Sequence, residues 1–99
     1  MPPPQYRVLL PPAVQEQLRE VIRRAAARGQ ATGALWASRK ILEGLRWLAD
    51  ELGESRYPLH ILGELRAVVI GPVGAVFAVH RGRMEVNVGR FRLLGVRRG

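Results

Sequence analysis

The spacing of the breaks in the C-terminal third restricts the fold more than any other feature. LRAVVI (65–70) is interrupted at Gly71-Pro72, VGAVFAVH (73–80) at Arg81-Gly82-Arg83, and MEVNV (84–88) runs on into GRFRLL. Each run is short and rich in β-branched or aromatic residues, the composition of a strand. A break of two or three residues can join only antiparallel neighbours, because a parallel return needs a crossover of a dozen residues or more. These runs therefore predict a three-stranded meander.

The last run carries a phase change. Met84, Val86 and Val88 alternate with Glu85 and Asn87, which predicts the first three as core, yet the next apolar pair, Phe91 and Leu93, has the opposite parity. A period of two cannot shift by one residue without a bulge or a strand end, and Gly89 lies at the slip. The pattern predicts a kink at Gly89-Arg90 that re-aims Arg90 and Arg92.

Upstream the period is helical. After the prolines at 2 to 4, which favour an extended start, YRVLL (6–10) suits a short strand that Pro11-Pro12 stops. Val14, Leu18, Val21, Ile22 and Ala25 then share one face of an α-helix, and Gly29 ends it. Thr32 is the expected N-cap of a second helix running to about Leu52, with Gly53 as its stop. Its apolar stripe comprises Leu35, Ile41, Leu42, Leu45, Leu48, Ala49 and Leu52, and Trp36 and Trp47, eleven positions apart, are expected to pack on a shared side. Two helices joined by a short turn form an antiparallel hairpin whose apolar side needs a sheet. The expected fold is α+β, in the order β-α-α-β-β-β: an antiparallel sheet covered on one face by a two-helix hairpin. A chain of 99 residues suits a single domain, 1–99, with an extended N-terminal segment (1–5) and a basic tail (95–99).

Composition narrows the chemistry. The chain has no Cys, which excludes disulfides, thiolate metal sites and a cysteine nucleophile, and its two His have no carboxylate spacing that suits zinc; no cofactor or metal is expected. Ser38 and Ser55 sit in no nucleophile elbow, and GELRAVVIGPVG lacks both the Lys of a P-loop and the helix that should follow. No apolar run approaches the length of a membrane span and no secretory signal is recognisable, so the cytoplasm is the expected location. What remains is charge. The formal net charge is +8, and residues 79–99 hold six arginines and one acid. A field of that sign favours phosphate backbones or acidic partners. Arginine also supplies a planar, bidentate donor for phosphate or carboxylate. Arg66, Arg81, Arg83, Arg90 and Arg92 are the candidate contacts to nucleic acid or another target. Weak catalytic candidates for phosphate cleavage are Arg66, His80 and Arg81, with His80 the single proton carrier of the final hairpin and Tyr57 able to approach only if the segment after helix 2 crosses that face.

The stretch LGELRAVVIGPVGAVFAVHRGRMEVNVGRF (62–91), together with the element order, the size and the charge, resembles the RelE/ParE superfamily of type II toxins. The resemblance covers about residues 5 to 94. It implies a toxin, either a metal-independent, ribosome-dependent endoribonuclease or a gyrase inhibitor, neutralised by a cognate antitoxin. Arg66 matches the Arg of the family's second strand. Val73 and Gly74 stand where an aromatic-Arg pair is usual, and Gly89-Arg90-Phe91 replaces the nucleases' Gly-His-Arg-like ending with its following Tyr, so the likeness implies binding more strongly than cleavage. A non-catalytic RNA- or DNA-binding module of the same fold is the alternative. A homodimer through the helix hairpin is a further arrangement consistent with the pattern.

Overall fold

The computed structural model describes residues 5–48, 54–59 and 63–94. Its elements are β1 (Arg7–Leu9), α1 (Pro12–Ala27), α2 (Ala31–Leu48), β2 (Glu54–Leu59), β3 (Gly63–Ile70), β4 (Val73–His80) and β5 (Glu85–Leu93), with a single 3-10 turn at Arg81–Arg83 between the last two. The five strands form one sheet in the order β1-β5-β4-β3-β2.

The α+β layout and the β3-β4-β5 meander are as expected, and two features of the sheet differ. The sheet is mixed rather than antiparallel, because β1 runs parallel to β5, pairing Arg7 with Glu85 through Leu9 with Asn87. The α1–α2 hairpin and the other strands lie between these two in sequence, which gives ample chain for a parallel return. The second difference is an additional antiparallel strand, β2, beside β3. Its sequence ESRYPL contains Pro58 and two charges, which hides it from a strand pattern. As the outermost strand it needs ladder bonds on one side only, and an edge is where a strand tolerates proline.

At the helix junction α1 stops where the sequence predicts, whereas α2 starts earlier than expected. α1 ends in a Schellman arrangement: the Gln30 N–H donates to the Ala25 carbonyl at 2.7 Å and the Gly29 N–H to Ala26 at 3.0 Å, with Gly29 at φ +73°. α2 begins one residue before the expected cap, so Thr32 lies inside the helix and the carbonyl of Gln30 accepts from Ala34 at 3.0 Å. The expected end of this helix at Leu52-Gly53, Ala49 on its stripe, and the tail 95–99 lie outside the described residues.

The core lies between the helix hairpin and one face of the sheet. Val14, Val21 and Ala25 of α1 and Ala34, Ala37, Ile41 and Leu45 of α2 are buried with Phe77 and Val79 of β4 and Val86, Val88 and Phe91 of β5. Truncating Phe77, fully enclosed, to Ala would cost about 3–5 kcal/mol. The fully buried Ala34 and Ala37 mark the core-facing side of α2. Trp36 and Trp47 instead face solvent, 55% and 39% exposed, which corrects their expected packing role. Leu35 likewise leaves the expected stripe and is exposed, whereas Leu42 packs against the core with Leu18 and Ile22; the four line a groove of about 550 Å³ between the two helices. Met84 is half-buried at the rim of the core at φ +52°, rather than inside it.

Candidate polyanion-binding face

Among the described residues no helix covers the opposite face of the sheet. Directly paired residues of neighbouring strands point to the same side. The pairs Ala67–Val76, Val69–Gly74, Val76–Arg90 and Gly74–Arg92 therefore place Ala67, Val69, Gly74, Val76, Arg90 and Arg92 together on the uncovered face. Val69 is 62% exposed there. A shallow hollow of about 130 Å³ is floored by these small side chains and walled by Arg90, Arg92 and Leu94.

The arginines reach this face through the phase change at Gly89. Phe77 pairs with Val88 and its neighbour Val76 with Arg90, so Gly89 is the extra residue of a β-bulge, at the predicted position. In an unbroken strand Arg90 would follow Val88 into the core and Phe91 would face water. The bulge exchanges them: Phe91 is buried with Val86 and Val88, while Arg90 and Arg92 are exposed. The stem of Arg92 crosses Gly74, where any Cβ would meet Arg92 Cγ at 3.6 Å and Leu94 Cδ2 at 3.7 Å. The open glycine surface thus supports the aliphatic stem of Arg92.

The other candidates gather elsewhere. Arg66 pairs with Phe77 on the core-facing side, is 8% exposed and donates to the Glu64 carboxylate. Arg81, in the turn after β4, approaches the same carboxylate at 3.5 Å. The hydrogen bond from Arg66, helped by the charges of Arg66 and Arg81, holds the Glu64 carboxyl below its ordinary range although burial opposes this. His80 accepts the Arg83 backbone N–H through Nδ1 at 3.3 Å, which closes the turn, and its ring lies against Gly82. The side chain of Tyr57 lies outside the described residues. The six sequence candidates thus divide into Arg66, His80, Arg81 and Arg83 at one end of the β4–β5 hairpin and Arg90 and Arg92 at the other. Val76, opposite Arg90, and His80 are four residues apart on β4, about 13 Å at 3.3 Å per residue. One phosphate group cannot touch both the Arg90 guanidinium stem position and the His80 ring at that separation without long reach from each.

Sequence reading missed three polar residues near the arginines. Arg7 shares the uncovered face with Glu85 and is ion-paired to it. Gln17 and Arg24 of α1 stand beside the same margin of β5, beyond the end of β1, in a cleft of about 410 Å³ shared with Arg90 and Arg92. Their spacing of seven, with Val21 between, was the available signal: it sets them on one side of α1 next to its buried stripe. Among the described residues no group of three or more His, Cys, Asp or Glu could hold a metal ion, and no helix is long and apolar enough to cross a membrane. Compared with protein-family models, curated proteins and solved structures, the chain has no match.

Proposed function

We propose that this protein acts as a RelE/ParE-like toxin of a type II toxin–antitoxin pair, binding a nucleic-acid-associated cytoplasmic target through the basic end of its uncovered sheet face and neutralised by an acidic antitoxin. The observation that carries the reading is the bulge at Gly89, which turns Arg90 and Arg92 outward beside an apolar floor whose lining includes no carboxylate. Two adjacent guanidinia without acids between them suit successive phosphates, and the aliphatic floor suits the apolar parts of a nucleotide. The order of strands and helices, with β2 as an added edge strand, is consistent with the resemblance noted in the sequence.

Binding without cleavage is the form of this activity that the geometry favours. Metal-independent cleavage needs a proton carrier within hydrogen-bond reach of the phosphate that the arginines hold. His80 lies at the far end of the hairpin with Nδ1 engaged in its turn, and Arg66 is enclosed with Glu64 on the other face. A non-catalytic nucleic-acid-binding module rests on this same separation and makes the same contacts.

Two measurements test the proposal. Induced expression should arrest bacterial growth, and the Arg90→Gln/Arg92→Gln double variant should relieve the arrest at equal soluble yield. Normal growth at high soluble expression of the wild type would overturn the toxin reading. A labelled single-stranded RNA should bind with a log–log salt slope of about 0.7 per phosphate contact. Affinity that does not change between low and physiological salt would remove the binding module as well.

A further inference from the structure

The cleft between α1 and the far half of β5 has an unusual origin. β1 pairs with β5 only from Glu85 to Asn87, after which Pro11 and Pro12 turn the chain into α1. Beyond the bulge, β5 has no strand neighbour on that side among the described residues, and α1 stands beside that margin. A strand margin offers backbone N–H groups that need acceptors. Here the Phe91 N–H donates to Gln17 Oε1 at 3.0 Å.

That bond orients the amide. With its oxygen turned to the strand, Gln17 has its two N–H donors as its other polar group, on a residue that lines the cleft. Arg24, two turns along the same side of α1, lines it too, as do Arg90 and Arg92 from β5. Glu20 is the one carboxylate of the lining, and Arg23 donates to it from outside the cleft. The lining therefore brings three arginines and Gln17 around a space large enough for a tetrahedral oxyanion, with the single acid already engaged. Guanidinium forks and neutral N–H donors together are the donor set of a phosphate site.

We propose that this cleft binds a phosphate group, with Gln17 and Arg24 as its helix-borne donors and Arg90 and Arg92 as its strand-borne ones. The two arginines are shared with the uncovered face, so the inference rests in part on the binding reading above, and a nucleic-acid backbone would continue over the sheet margin from one side to the other. Gln17 has a double part here: its oxygen completes the sheet margin and its nitrogen meets the anion.

Gln17→Glu separates those parts, because a carboxylate oxygen still accepts from Phe91 while the donors are replaced by negative charge. Arg24→Gln removes an exposed cation without touching the core and serves even if the Glu variant folds poorly. Isotope-labelled protein is titrated with inorganic phosphate at constant ionic strength, following the Gln17 amide and Arg24 Nε signals, and each variant is assayed with a labelled single-stranded RNA. Saturable movement of both signals with phosphate, and not with chloride, is expected. Arg24→Gln should lower the salt slope for RNA by about 0.7, and Gln17→Glu should weaken RNA binding roughly tenfold or more. If RNA binds the wild type and both variants alike, the cleft is not a phosphate site and the reading of Arg90 and Arg92 on the open face survives. If phosphate moves Gln17 and Arg24 but RNA does not bind, the cleft stands as a small-anion site and the nucleic-acid reading falls. Failure of both probes overturns both.

Discussion

The two ends of the β4–β5 hairpin both carry arginine and use it in opposite ways. At the turn end, Arg66 and Arg81 converge on Glu64, and Arg83 contributes its backbone N–H to His80. At the open end, Arg90 and Arg92 extend past the bulge over Gly74 and Val76, and the hollow they wall has no acid in its lining. Charge counted along the sequence makes the two ends alike. The difference is made by one acid, Glu64, which register places beside Val79 and which converts neighbouring cations into internal structure. An arginine is available to a partner when folding has supplied it with no carboxylate, and that is a property of register.

The largest effect that would break this contrast is at the turn end. Glu64→Gln leaves the enclosed Arg66 guanidinium without its carboxylate, and unfolding in denaturant should show a loss of about 2–3 kcal/mol, below the fully buried case because Glu64 is partly exposed. RNA affinity of the folded variant should not fall, because Arg90 and Arg92 keep their places. The pH dependence has a definite sign: the folded-state pKa of Glu64 is depressed, so its contribution is present above the ordinary carboxylate pKa and is lost as pH falls through the lower folded value. The stability gap between wild type and variant should close as acid is added. A gap that stays constant would show that the ion pair is not its cause.

Next in size is an effect on binding alone. Arg90→Gln/Arg92→Gln should reduce the salt slope for single-stranded RNA by about 1.4, two contacts at about 0.7 each, while the thermal midpoint moves by no more than exposed substitutions usually cause. The same pair of substitutions at Arg81 and Arg83 should change the slope little. Equal loss at both ends would mean that the whole hairpin is one binding surface, and the distinction drawn from Glu64 would fail.

The meander was legible because its two breaks are too short for any other connection, and the bulge because Val88 and Phe91 have incompatible parity. Both are local arguments. β2 was hidden by Pro58, which is tolerated there only because the strand lies at an edge, a fact about sheet order that no local pattern contains. The same holds for the site. Arg90 and Arg92 could be read as outward from the slip at Gly89, whereas the enclosure of Arg66 follows from its pairing with Phe77, and the joining of Arg24 to Arg90 from the way α1 crosses the unpaired margin. The tryptophans misled for a related reason: a shared helix side says that two residues go together, and only the alanines opposite decide which way the helix faces.

The two ends of β4 also differ in how glycine is used near them. Gly71 begins the β3–β4 turn at φ +54°, followed by Pro72 with its fixed negative φ, the sign pattern of a type II′ turn. An alanine there would meet Ala37 Cβ at an ordinary 3.7 Å, so Gly71→Ala should cost about 1 kcal/mol through the backbone alone.

Gly89 is the smallest effect and the sharpest test. It is the extra residue of the bulge, yet its φ is not positive, and a Cβ placed on it would lie 3.7 Å from the Val76 carbonyl oxygen, an ordinary contact. If the bulge exists because Val88 and Phe91 must both face the core, the residue between them is free to carry a side chain. Gly89→Ala should then change stability by no more than about 0.5 kcal/mol, as a surface substitution does, and leave RNA affinity intact. Deleting Gly89 keeps Phe91 inward and the arginines outward by simple alternation, so the shortened protein should fold too. A loss from Gly89→Ala as large as that from Gly71→Ala would mean that the glycine backbone, and not the parity of the flanking side chains, holds Arg90 and Arg92 on the open face.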